Sequence, residues 1–460
     1  MKENNGHAAR RALSRRVGIV LVSFAVLLAI LLAVKSHVRH KKPFSLSTRP
    51  HQPSRWGTRG RGGSMAYLSE AEVLEDILLA KLHLVDIRVE DADALQKASK
   101  ASVTADSNTS YDHESATPYA GITGFFCTLD WSVHKLDPAS TPMFRDLTAK
   151  SASCDGPRKM DLGKVVQAAR ERDSDINPRR VSSVHVLNLA AVVFHESRCG
   201  STLVANILAG MNPAAHRVYS ESPPPLHALK TVCGEDYSHC AKTISARILR
   251  DVVYLMSRSN DLKETRVFFK VQSLGSRNIE VFQQAFPATP WLFVYRDPVE
   301  ILMSQLANGP RNANCVRPQR LHTQPTSVHR VWQHRGSSAT TNLKTLSPEE
   351  YCAVHLATIT ETAVEQLQYG SQLQGVPINY ASLKPMLLKV LPTRLNVTMG
   401  PEEVRRIDLV ASQYSKGRGS KAGIFTEDSH QKQSKATEAI RKAARTYLQP
   451  SYEALEQLAS

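Results

Sequence analysis

Two short stretches hold residues whose types and spacing could do chemistry. The first, Ala191 to Met211, reads AVVFHESRCGSTLVANILAGM. The apolar run Ala190 to Phe194 is rich in β-branched residues and predicts a buried strand. His195 to Gly200 make a short polar turn, and Ser201 and Thr202 open an amphipathic segment that runs to Gly210. Strand, glycine-containing turn and Ser/Thr helix start together form the layout of a phosphate-binding loop, whose backbone N–H groups and helix N-terminus face an anion. Ser201 suits the N-cap position, and Arg198 places a permanent positive charge beside the turn. An ordinary strand–turn–helix with a surface arginine also accounts for this stretch taken alone. The second stretch, Trp291 to Leu306, reads WLFVYRDPVEILMSQL. An apolar strand leads into Arg296-Asp297-Pro298, and Pro298 and Glu300 suit the first turn of a helix. Ser304 falls two turns into that helix, so Arg296 and Ser304 could grip one phosphate by charge-assisted and hydroxyl hydrogen bonds.

Such residues need a scaffold that brings them together. From Val181 onward apolar strands alternate with helical segments. The pattern predicts strands at Val184 to Leu189, Ala190 to Phe194, Val267 to Val271, Trp291 to Tyr295 and Pro377 to Tyr380. It predicts helices at Thr202 to Ala209, Lys242 to Ser257, Ile279 to Phe286, Val299 to Ala307 and Pro348 to Tyr369. The last begins with a capping box, Ser347 with Glu350 three residues on, and Pro348 in the first helical position. This alternation predicts an α/β fold, a three-layer, P-loop-like parallel sheet with helices on both faces. Ligands of such sheets bind beyond the carboxyl ends of the strands, where the first turn and Arg296 would both fall. Upstream, residues 66–98 carry apolar positions at helical spacing (Leu74, Ile77, Leu78, Leu82), residues 121–154 look irregular, and Leu162 to Arg172 reads as a helix.

The 460-residue chain is 42% hydrophobic, enough for a packed core, and carries a formal charge of +16. Residues 1–65 hold 13 Lys/Arg against one Glu, and residues 308–346 hold 6 Lys/Arg and no acid, which leaves the rest slightly acidic. A general nucleic-acid surface is therefore not expected. The basic segment 308–346 reads as a surface loop, or as a lid or contact for an acidic acceptor. Val17 to Val34 is 18 residues without a charge, with no small-residue cleavage site close behind. It predicts an uncleaved transmembrane signal anchor between a short tail (1–16) and a stem (35–65). Residues 66–180 would form an N-terminal extension and 181–460 the main domain. Neighbour pairing of six cysteines would give Cys127–Cys154, Cys233–Cys240 and Cys315–Cys352 and leave Cys199 free, although connectivity is not readable from sequence. Glycosylation acceptors at Asn108 and Asn396 fit a lumenal body.

Taken together, the two stretches resemble the two cofactor-binding motifs of sulfotransferases that use 3′-phosphoadenosine-5′-phosphosulfate (PAPS), and specifically the membrane-anchored Golgi type. In that family the first loop cradles the 5′-phosphosulfate, matched here by Arg198, Cys199, Gly200, Ser201 and Thr202. The second motif holds the 3′-phosphate, matched by Arg296, Asp297, Pro298, Glu300 and Ser304. The resemblance runs roughly from Ala190 to Phe425. It implies that Lys270 meets the sulfuryl group or its bridging oxygen, that Tyr380 lies near the adenine, and that Lys416, Gly417 and Arg418 close over the 3′-phosphate. Gln272 stands where cytosolic members carry a catalytic histidine. Glutamine cannot take a proton usefully near neutral pH. The segment Tyr219-Ser220-Glu221-Ser222-Pro223 offers Glu221 as the base instead, with Arg198 and Lys270 as its catalytic partners. The implied activity is sulfuryl transfer from PAPS to a hydroxyl of a carbohydrate, a protein tyrosine or a small molecule in the Golgi lumen, with no metal demanded.

Three other readings compete. A nucleotide kinase or ATPase normally needs a lysine after the last loop glycine, where this chain has Ser201. A lumenal glycosyltransferase could bind a metal–nucleotide through Asp173-Ser174-Asp175, although that pair precedes the candidate strands. A membrane-anchored, non-catalytic binding protein would keep the fold without the chemistry.

Overall fold

The computed structural model of the chain describes residues 69–91, 93–95, 97, 121–174, 183–231, 242–321, 324–335, 342–370, 374–417, 423–424 and 426–459. The expected membrane span and stem, Asn108, Asp175, Cys233, Cys240 and Arg418 lie outside these residues. Among the described residues no helix is long and apolar enough to cross a membrane. The residues described here all belong to one compact unit, Ala66–Ser460.

That unit opens with helix α1 (Glu70–Leu78), capped by Ser69, and a small antiparallel sheet of β1 (His83–Val89), β2 (Ile122–Cys127) and β3 (Arg158–Asp161). Helical spacing was expected throughout 66–98. It stops at Leu78; Ala80 takes a left-handed φ of 52°, and beyond it Val85, Ile87 and Val89 alternate with Asp86 and Arg88 at strand period. Nor is 121–154 irregular. β2 is nearly all buried, is followed by α2 (Trp131–Leu136) and α3 (Phe144–Lys150), and is tied to Cys154 by a disulfide from Cys127. Helix α4 (Leu162–Ser174) then leads toward the main sheet.

The main sheet is parallel, in the order β10–β9–β5–β8–β6. Its strands are β5 (Asn188–His195), β6 (His216–Ser220), β8 (Arg266–Lys270), β9 (Trp291–Tyr295) and β10 (Gly375–Asn379). Two further short strands, β4 (His185–Val186) and β7 (Arg258–Ser259), pair only with each other, so the expected strand 184–189 is split between β4 and β5. Alternate β5 residues enter two apolar cores. Val192 and Phe194 join one with α5 (Lys242–Ser257) and the N-terminal sheet, whereas Ala191 and Val193 join another with the helix at Ser201–Met211. Two cores on opposite faces of one parallel sheet agree with the three-layer expectation and explain the unbroken apolar run in β5. Edge strand β6, HRVYS, gave little apolar signal. It is buried because Arg217 is paired with Glu264 and Tyr219 is stacked on Phe269.

The basic segment 308–346 is not a bare surface loop. Its described part contains a helix at Thr326–Arg335, buries Val328, Val331 and Leu343, and is fastened to the long helix Pro348–Tyr369 by the Cys315–Cys352 disulfide. The long helix begins with the expected capping box of Ser347 and Glu350. Further helices follow β10, from Leu383–Thr393 to Gln449–Ala459, among them the short helix Ser429–Lys435.

Candidate functional site

Each strand of the parallel sheet delivers one candidate residue at its carboxyl end. Across the sheet these are Tyr380 after β10, Arg296 after β9, the loop after β5, Lys270 closing β8 and Glu221 after β6. β5 lies in the middle of this order, with later strands added on both sides of it, which makes its carboxyl end the switch point of the sheet.

The loop is a tight turn of left-handed residues: φ is 74° at Ser197, 58° at Arg198 and 87° at Gly200. Such runs turn successive N–H groups into one concavity, and non-glycine residues held this way cost on the order of 1–3 kcal/mol each. The helix that follows, Ser201–Met211, is capped by Gly200 and not by Ser201, whose side chain is buried with that of Thr202. Gly200 has a second reason to be glycine. A Cβ there would lie 2.3 Å from the Tyr380 ring. Cys199 is fully buried in the apolar core, and burial pushes its thiol up to about 12, so its side chain is packing and not a nucleophile. Behind the turn sits a residue the sequence reading passed over. Glu196 is buried, and its Oε1 accepts the backbone N–H of Arg296 at 2.6 Å, joining the first loop to the second motif. Burial raises its carboxyl to about 8, against the help of that hydrogen bond.

The two motifs also meet through side chains. Arg198 Nε donates to Ser304 Oγ at 2.9 Å, across 106 residues. Ser304 therefore partners Arg198, where the sequence had paired it with Arg296. Arg296 is held otherwise: its Nε donates to Glu300, and Nη2 donates to Asp428 Oδ1 at 2.9 Å and Ser429 Oγ at 3.1 Å. Its guanidinium lies 4.1 Å from the centre of the Tyr380 ring. Tyr380 thus bridges Gly200 and Arg296, a contact that its place after a strand did not announce. Asp297 caps the Pro298–Leu306 helix by accepting the N–H groups of Val299 and Glu300.

At the other edge, Lys270 is fully buried and its ammonium is paired with Glu221 Oε1. Glu221 has a φ of 59°, a strained conformation for a non-glycine residue, and about a quarter of its side chain reaches solvent. Burial opposes its ionisation, but the Lys270 ammonium and His195 outweigh that and bring its pKa to about 2. His195 was not singled out from sequence. Its Nδ1 accepts the Ser197 N–H at 3.0 Å, which leaves the ring proton on Nε2, 3.8 Å from Glu221 Oε1. Burial, with Lys270 nearby, holds it neutral down to about 3. The charge of Lys416 acts on both Glu221 and His195, and Ser415 accepts a hydrogen bond from Asn206, so the late loop approaches this edge of the site. Arg296 itself is met by Asp428 and Ser429, which follow that loop in the chain, and Lys432 pairs with Asp428. Gln272 donates weakly to the Glu221 carbonyl at 3.4 Å.

Asp173, of the candidate metal–nucleotide pair, is engaged elsewhere. It forms a two-pronged ion pair with the buried Arg258 and accepts a hydrogen bond from Tyr254. Among the described residues no group of His, Cys, Asp or Glu is placed to hold a metal ion.

No protein-family model matches the chain, and no curated protein does. Solved structures similar to part of it include the following three. They are a sulfotransferase domain from the curacin biosynthetic pathway, one from the Synechococcus PCC 7002 olefin synthase, and the sulfotransferase STF9 from Mycobacterium avium. The first is 16% identical and covers 60% of this chain and 99% of its own, with a TM-score of 0.32. The second is 12% identical, covering 60% and 96% with a TM-score of 0.31, and the third is 12% identical, covering 70% and 87% with a TM-score of 0.32.

Proposed function

We propose that this chain is a sulfotransferase that moves a sulfuryl group from PAPS to a hydroxyl acceptor. The observation that carries the reading is the 2.9 Å bond from Arg198 to Ser304, which joins two anion-binding sequence motifs into one site beside the Glu221–Lys270 pair. The donor, when bound, supplies the sulfuryl group and a phosphate leaving group. Arg198 and the N–H groups of the loop hold the 5′ end, and Arg296 faces the 3′-phosphate. Lys270 donates to the bridging oxygen as the S–O bond there breaks and the electron pair passes to the leaving phosphate. Glu221 takes the proton of the acceptor hydroxyl as its oxygen bonds to sulfur. In the free protein Glu221 is a weak base because Lys270 holds it. A phosphate competing for the same ammonium removes the main charge that keeps the Glu221 pKa low, and burial then raises it toward a useful range. Charge development on the transferring oxygens is met by fixed donors, so positioning and electrostatics do most of the catalysis.

The same reading places the site in the Golgi lumen, with Val17 to Val34 as a single membrane anchor, a glycan on the exposed Asn396, and a glycan, protein or small hydroxyl compound as acceptor. The disulfides Cys127–Cys154 and Cys315–Cys352 suit an oxidising compartment.

Calorimetry of the purified chain with adenosine 3′,5′-bisphosphate tests the proposal. The wild type binds, and Arg296→Ala weakens binding by at least tenfold, about 1.4 kcal/mol. Glu221→Gln keeps that binding and lowers turnover with labelled donor by about 10²- to 10⁴-fold. A wild type that binds no bisphosphate sinks the sulfotransferase reading.

A further inference from the structure

The Arg296 end of the site contains a carboxylate that the proposed chemistry does not use. Asp428 lies between two cations: its Oδ1 accepts from Arg296 Nη2 at 2.9 Å, and Lys432 Nζ is 2.9 Å from Oδ1 and 2.8 Å from Oδ2. The Ser429 hydroxyl accepts from the same Arg296 nitrogen and donates to Glu300 at 3.0 Å. Gln433 donates to Asp297 at 2.8 Å, which holds the whole Ser429–Lys435 segment against the second motif. An arginine and an ammonium around one anion, with a hydroxyl on the same arginine nitrogen, are partners that a phosphate takes.

The two carboxylates on Arg296 differ in kind. The Glu300 side chain is 11% exposed and sits within its own helix, as a fixed support. The Asp428 side chain is 45% exposed, so it can turn out to water without leaving a buried charge behind. While both are in place, Arg296 and Lys432 are already neutralised, and Asp297 adds a further negative charge nearby. A phosphate arriving there meets Arg296 and Lys432 already paired with Asp428 unless Asp428 leaves.

We propose that Asp428 is a resident anion of the second phosphate grip, which the donor's 3′-phosphate displaces, so that Arg296, Ser429 and Lys432 close on the phosphate in its place. This rests on the sulfotransferase reading and adds to it a competing group and two ligands that neither matched motif contains. It makes the chain's preference for a 3′-phosphate depend on residues in a separate helix, about 130 positions beyond Arg296 in the sequence.

The test compares two nucleotides that differ only in the 3′-phosphate, adenosine 3′,5′-bisphosphate and adenosine 5′-monophosphate, by calorimetry on the full chain. Asp428→Asn keeps the size of the side chain and removes its charge. It is expected to tighten the bisphosphate by about tenfold or more and to leave the monophosphate within about twofold. Lys432→Gln is expected to weaken the bisphosphate by a similar factor, again with the monophosphate unchanged. Binding of the monophosphate reports that each variant is folded, and Asp428→Ala serves in place of a misfolded Asp428→Asn. If the wild type prefers the bisphosphate and neither charge change alters that preference, the inference is overturned and the sulfotransferase reading stands. If no form of the protein distinguishes the two nucleotides, both fall.

Discussion

Glu196 offers a sharp physical test, because a buried carboxyl behind an anion loop must be neutral to be tolerated. Its carboxyl ionises near 4.5 in the open chain and only at about 8 in the fold, with burial as the largest cause. Between those two values the unfolded chain gives up a proton that the native state keeps. Stability from this group is therefore fully present below pH 4.5 and is lost as pH rises toward 8. At about 1.4 kcal/mol per pH unit the whole interval corresponds to about 5 kcal/mol, the Arg296 N–H having already offset part of the cost of burial. Glu196→Gln preserves the acceptor for that N–H and cannot ionise. Urea unfolding of both proteins at pH 5, 6, 7 and 8 should show the variant gaining on the wild type by several kcal/mol across the series. The same substitution should flatten the pH dependence of bisphosphate binding above pH 7, since an ionised Glu196 repels the phosphates in front of it. Two stability curves that run parallel from pH 5 to 8 would falsify the neutral carboxyl and the reasoning that rests on it.

Gly200→Ala combines a left-handed φ of 87° with a Cβ 2.3 Å from the Tyr380 ring. It should cost about 1–3 kcal/mol of stability and weaken bisphosphate binding by at least tenfold, measured by thermal unfolding and calorimetry. The Cys315–Cys352 bridge closes a span of 37 residues, and replacing both cysteines by alanine should cost up to about 4 kcal/mol, read by urea unfolding in non-reducing buffer. The loss should be accompanied by protease sensitivity between Gly309 and Leu346, where the bridge fastens the basic segment.

Much of the scaffold was legible because it rests on local pattern. The apolar runs of β5 and β9 are buried on both faces of a parallel sheet and so read as unbroken hydrophobic stretches, and the helix at Lys242–Ser257 has the bounds its spacing predicts. Helix starts at Pro298 and Pro348 were marked by proline and acidic residues in their first turns. β6 was missed because its burial comes from an arginine paired with Glu264 and a tyrosine stacked on a neighbouring strand, neither of which has a period. Ser201 looked like a cap because capping preference is local, whereas the turn before it is set by three left-handed residues.

By itself, the sequence determined the alternation of strands and helices and set Arg198, Arg296 and Ser304 in turns and helices that follow apolar strands. Tertiary structure alone decided who meets whom. The parallel order of the strands puts Tyr380, Arg296, the β5 loop, Lys270 and Glu221 along one edge. It pairs Ser304 with Arg198, sets Asp428 against Arg296, and buries Glu196 and His195 deeply enough to move their protons. The physical reason is that hydrogen-bond partners and desolvation depend on contacts between residues a hundred or more positions apart, and those contacts exist only after the sheet has formed.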